Sequence, residues 1–139
     1  MKTLKGFLVI VAIVALAAGC SLGGIEKILP SKDGTWTSNS SVYRSYVNSV
    51  VDSTWTDATI YTYKFDKGGS VSISSTRGTE TRTWLGKNDI VTLCSNTISG
   101  QTCEDYLVKS SSSTNENWTH TTVGAANGLW VEHDLTLTR

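Results

Sequence analysis

Few side chains in this sequence are suited to acid–base or metal chemistry. There are two histidines, His120 and His133. Glu132 and Asp134 flank His133, a combination that serves a general base or a zinc ion only if all three groups converge. On a strand, successive side chains point to opposite faces, so both carboxylates turn away from the imidazole. His133 therefore reads as a hydrogen-bonded interior or rim histidine. Glu104-Asp105 is a second carboxylate pair with the same defect. The many serines include no Gly-x-Ser-x-Gly nucleophile elbow. Gly68, Gly69, Gly124 and Gly128 read as turn glycines, since no strand leads through them into a phosphate-binding helix. The expectation is a protein with no catalytic residue, no metal ligand and no cofactor.

The cysteines carry a different chemistry. Lys2 and Lys5 form a short basic start, Phe7 to Ala18 is an unbroken apolar run, and Ala17-Ala18-Gly19 precede Cys20. That order is the pattern of an export signal. The run is too short for the roughly 20 residues of a spanning helix, which weighs against an uncleaved anchor. Leu16-Ala17-Ala18-Gly19-Cys20 resembles the bacterial lipobox. The resemblance implies that residues 1–19 are removed and that Cys20 carries acyl chains. Two or more chains hold a protein stably at a membrane surface without spanning it. Ser21 after the cysteine is compatible with an outer-membrane address if the host is Gram-negative. The expected address is therefore the cell envelope, with the membrane as first partner.

With Cys20 taken by lipid, Cys94 and Cys103 remain as a pair, and an oxidising export compartment permits a disulfide between them. A metal or redox pair is the alternative, but the spacing is too long for Cys-x-x-Cys and no histidine lies nearby in sequence. Loss of Lys2 and Lys5 takes the chain from 12 basic and 12 acidic residues to 10 and 12. No basic patch emerges, which argues against nucleic acid as a partner.

Five tryptophans are many for so small a domain. Trp84 alternates away from Leu85, and Trp130 away from Leu129 and Val131. If the leucines and valine face inward, Trp84 and Trp130 lie on an outer contact surface and are the candidate binding residues.

The elements that must position these residues read as short strands. Residues 20–33 form a tether in which Ile25 to Leu29 can make one helical turn before Pro30. After Gly34, residues 34–139 form one domain. Strands are expected at Thr35 to Tyr43, Ala58 to Phe65, Ser70 to Ser75, Thr79 to Leu85, Ile90 to Cys94, Glu104 to Ser110, Trp118 to Val123 and Leu129 to Thr138. Tyr46 to Val51 is open between strand and helical turn. Tyr61, Tyr63 and Phe65 share one face of their strand, and Leu129, Val131, His133, Leu135 and Leu137 share one face of the last. Seven to nine antiparallel strands with tight turns predict an all-β, up-and-down barrel, with a β-sandwich as the alternative.

Three stretches resemble the bacterial lipocalin-like lipoproteins. Gly34-Thr35-Trp36 matches their opening Gly-x-Trp. Tyr63 to Val71, with Asp66-Lys67-Gly68-Gly69 at its turn, matches their aromatic hairpin. Asp134 to Arg139 matches the closing strand. The resemblance implies a barrel open at one end, a ligand that is small and apolar or amphipathic, and closure of the other end by Arg139 across the Trp36 indole. The competing expectation is a packed barrel without a cavity that engages an envelope protein. Cavity volume separates the two.

Overall fold

A computed structural model describes residues 24–124 and 128–139. It is all-β apart from one helical turn. The elements are α1 (Ile25–Ile28), β1 (Thr35–Val47), β2 (Val50–Thr56), β3 (Thr62–Phe65), β4 (Ser70–Ser75), β5 (Gly78–Lys87), β6 (Ile90–Thr97), β7 (Gly100–Ser111), β8 (Asn115–Val123) and β9 (Leu129–Thr138). Every pairing is antiparallel. β3 to β9 pair in sequence order, and β9 returns to pair with β1, which pairs with β3. Eight strands thus close into a barrel, and β2 is an additional ninth. Closure excludes a sandwich and removes the sheet edges that an open array of Ser- and Thr-rich strands would expose.

β1 is long because it serves two partners on one side. Its start, Thr35–Thr37, pairs with β3, and its end, Val42–Val47, pairs with β2. Asn48 and Ser49 both have positive φ (50° and 66°), the geometry of a two-residue hairpin turn. The ambiguous Tyr46 to Val51 stretch is this turn with its flanking strand ends. The strand expected at Ala58 to Phe65 begins only at Thr62. Asp57 accounts for the difference: its carboxylate accepts hydrogen bonds from the Thr59 amide (2.9 Å) and the Tyr61 hydroxyl (3.2 Å), and so competes with sheet pairing.

The lower half of the barrel is its core. Trp36, Trp118, Phe65, Val71, Val91 and Leu137 are all but inaccessible there. α1 plugs this end, burying Ile25, Ile28 and Leu29. The segment expected as a tether is therefore, from Ile25 on, part of the barrel. Two glycines permit the plug. Gly34 has φ 71°, and a Cβ there would lie 2.0 Å from the Phe65 carbonyl oxygen; a Cβ on Gly86 would lie 2.8 Å from Ile25 Cγ2.

The face of β5 is the reverse of the expectation. Trp84 is buried and Leu85 is 63% exposed. The Trp84 indole N–H donates to the Asp66 carbonyl (2.9 Å), and Phe65 packs on it edge-on. Trp84 is a core residue, not an outer contact.

Candidate functional site

The upper half of the barrel is not packed. A cavity of about 280 Å³ lies there, walled by Tyr43, Tyr61, Tyr63 and Tyr106, with Arg82, Glu104 and His133 among its other lining residues. It occupies the end where the β1–β2, β4–β5, β6–β7 and β8–β9 turns gather, opposite α1. Strand alternation puts polar groups inside. Glu80 and Arg82 share the inner face of β5 with Trp84, and Glu104 shares that of β7 with Tyr106.

Arg82 is paired with both glutamates through three of its five N–H groups. Its Nη1 donates to Glu104 (2.8 Å), and Nε and Nη2 both donate to Glu80 (2.9 and 2.8 Å). Two hydrogen-bonded carboxylates outweigh the cost of burial and raise the guanidinium pKa, so Arg82 stays charged. Tyr63 and Tyr106 are 8% and 7% exposed. Burial pushes both phenols far above their ordinary range. Neither hydroxyl has a hydrogen-bond partner among the described residues, and neither is sealed from solvent. Both therefore open on the cavity as unused hydrogen-bonding groups.

One wall is a ladder of aromatic rings. Tyr43 lies between Trp55 (centroids 5.5 Å apart, planes within 6°) and His133 (4.1 Å, 5°). These three residues are direct partners across β2, β1 and β9. His133 Nε2 is 2.9 Å from the Ser41 hydroxyl. Burial, with help from His120, lowers its pKa below the ordinary value. His120, opposite His133 on β8, has Nδ1 2.8 Å from the Asp105 carbonyl, so that nitrogen carries the proton. Above the ladder, Val131 on β9 stands opposite Ser45 on β1, and beyond them Leu129 on β9, Val47 on β1 and Val50 on β2 align across the strands.

The sequence-derived candidates are dispersed over the molecule. Cys94 and Cys103 face each other across β6 and β7 and are disulfide-bonded, with Cα atoms 4.0 Å apart. Trp36 and Arg139 meet at the closed end, the guanidinium carbon 4.0 Å from the indole centroid. Arg139 also donates to the Ile28 and Ser31 carbonyls and to the Ser31 hydroxyl. Trp130 stacks on Tyr46 (3.7 Å, 2°) on the face opposite His133, outside the cavity. Glu132 and Asp134 share that outer face and hold Arg44. Cys20 lies outside the described residues. Among the described residues, no group of three His, Cys, Asp or Glu side chains is placed to hold a metal ion.

The mouth residues that the sequence reading passed over are Tyr43, Tyr106, Arg82 and Glu80, while Glu104 reads there only as half of a divergent carboxylate pair. A signal existed in Glu80-x-Arg82-x-Trp84: charged residues in phase with a large aromatic are a mark of a strand whose inner face changes from core to cavity. No protein-family model, curated protein or solved structure matches the chain.

Proposed function

We propose that the protein is an exported, lipid-anchored binding module, without catalytic activity, whose barrel mouth takes a small amphipathic molecule. The observation that carries this reading is the pair of buried tyrosines, Tyr63 and Tyr106, whose unpartnered hydroxyls open on a cavity of about 280 Å³. Hydroxyls that reach a cavity without a protein partner are free to bond a ligand, and ligand pockets set a few such polar groups in a largely aromatic or apolar wall. The polar end of the ligand sits among these hydroxyls and the Arg82 cluster. Its apolar part extends along Val131, Leu129 and Val47. The polar lining argues against a wholly apolar ligand, which would strand those groups without water.

The anchor rests on Leu16 to Cys20. Cys20→Ser should leave the precursor uncleaved and unacylated, and the mature wild type should partition into the detergent phase of a phase-separation extraction; its recovery in the aqueous phase would refute the anchor. For the binding site, the mature protein extracted from its own membranes should carry a non-covalent mass in native mass spectrometry, beyond that of the acyl chains. The Tyr63→Phe/Tyr106→Phe double variant should lose that mass while remaining folded.

A second reading has its own support. β2 pairs only with β1, and Val50, Val51 and Trp55 on it are exposed, leaving a strand edge that an envelope protein partner can extend. In that reading, pull-down of a partner depends on β2 and not on the tyrosines.

A further inference from the structure

We infer that the polar end of the ligand is an organic cation, a protonated alkylamine. The inference rests on the reading of the mouth as a binding site and adds the sign of the charge it accepts.

Three observations point the same way. The cavity holds two carboxylates, Glu80 and Glu104, against one guanidinium, so its inner charges sum to one negative. At the rim, Asp57 and Arg77 oppose each other and leave that sum unchanged. His133 adds nothing at neutral pH, because burial favours its uncharged form.

The Arg82 guanidinium is already partly occupied. Nε, Nη1 and Nη2 of Arg82 all point at glutamate oxygens. An anionic ligand would reach only the two Arg82 N–H groups left over, beside two carboxylates whose like charge repels it. A cation meets carboxylate lone pairs that Arg82 leaves free, because each carboxylate has about four acceptor sites.

The walls suit a cation as well. The rings of Tyr61, Tyr63 and Tyr106 line the space, and electron-rich ring faces attract ammonium groups. The Tyr63 and Tyr106 oxygens can accept N–H hydrogen bonds. A cavity of about 280 Å³ takes a head group rather than a whole amphiphile. The alkyl chain then leaves along the apolar strip above Tyr43.

Titration calorimetry of the folded barrel with octylammonium, octanol and octanoate, each below its micellar concentration, tests the inference. Octylammonium should bind about tenfold more tightly than octanol, a difference of about 1.4 kcal/mol, and octanoate should be the weakest. Glu104→Gln should weaken octylammonium severalfold, leave octanol unchanged, and strengthen octanoate by freeing Arg82. Near-ultraviolet circular dichroism checks that this variant is folded. Octanol or octanoate binding as well as octylammonium would overturn the cation while leaving the binding site standing. Failure of all three to bind would overturn both. An unchanged octylammonium affinity in a folded Glu104→Gln variant would place the cation elsewhere and also refute the proposal.

Discussion

Trp84 and Trp55 have opposite roles, although both are strand tryptophans. Trp84 is enclosed, hydrogen-bonded and packed edge-on by Phe65. Trp84→Ala should cost about 3–5 kcal/mol in urea denaturation, the range for removing a large aromatic side chain from a core. Trp55 is 45% exposed and stacks on Tyr43. Trp55→Ala should cost about 1 kcal/mol or less and show mainly as weaker ligand binding. The sequence misleads at Trp84 for a physical reason. Leu85 beside it is the apolar residue expected inside, but Leu85 faces solvent because β5 must turn Glu80 and Arg82 toward the mouth.

His133 gives the mouth a pH dependence of defined sign. Ser41 and Tyr43 face it from β1, Glu104 and Tyr106 from β7, and His120 from β8. Its folded pKa lies below that of the unfolded chain, so the unfolded chain binds the proton more readily. Its contribution to stability is full above the ordinary histidine value of 6.5 and is lost as pH falls through the folded value. Denaturation midpoints measured from neutral pH downward should fall more steeply for the wild type than for His133→Gln. Parallel curves would show that the imidazole titrates as freely in the barrel as in the unfolded chain.

Among the elements, β3 to β9 can be located from sequence, and those that bury one face and expose the other, such as β3, β4 and β6, show it in their alternation, whereas β5 does not. Tyr63 with Phe65, and Leu135 with Leu137, mark their inner faces plainly. The β1–β2 hairpin was harder to place. All of β2 is exposed, so no buried face imposes a pattern on it. The closed end was readable in Trp36 and Arg139, whereas the mouth was not, since its residues are polar ones on inward faces and come from strands distant in sequence. The disulfide belongs to the β6–β7 hairpin. Reducing it should lower stability by about 2–3 kcal/mol in the chain-entropy account of a ten-residue loop, measured by chemical denaturation with and without reductant. The cavity and its aromatic ladder should survive, because neither contains Cys94 or Cys103.

At the end of β9, Arg139 links three elements. Its guanidinium covers Trp36 of β1 and donates to backbone carbonyls at the end of α1 and in the turn after it. Arg139→Ala removes charge-assisted hydrogen bonds and a cation–π contact together, and should cost about 2–3 kcal/mol. The loss should concentrate in α1, with faster amide exchange at Leu29, whose N–H is bonded to the Ile25 carbonyl. Faster exchange spread evenly over all strands would show instead that Arg139 supports the barrel as a whole.

The two ends of the molecule differ, one packed and the other holding the cavity, and the proposed lipid anchor gives that difference a direction. Cys20 precedes Ile25 by five residues, so an acyl anchor at Cys20 lies within about 18 Å of the plug even with the chain fully extended. The plug seals the packed end. An anchored barrel therefore keeps its packed end near the membrane and presents the mouth away from it. Strands of about ten residues, tilted as in closed barrels, separate the two ends by roughly 25 Å. A fluorophore on Thr76→Cys, in the β4–β5 turn at the mouth, should transfer energy to a lipid-surface acceptor less efficiently than one on Lys67→Cys, in the β3–β4 turn at the packed end. Equal transfer would mean that the barrel tumbles freely on its anchor, and the reverse order would mean that the mouth meets the bilayer. The outcome also bears on the source of the ligand. On the proposed reading, a mouth held away from the membrane would take its amphiphile from the aqueous phase, where a single charged head and a short chain keep such a molecule soluble. A mouth against the bilayer would draw on the lipid leaflet instead.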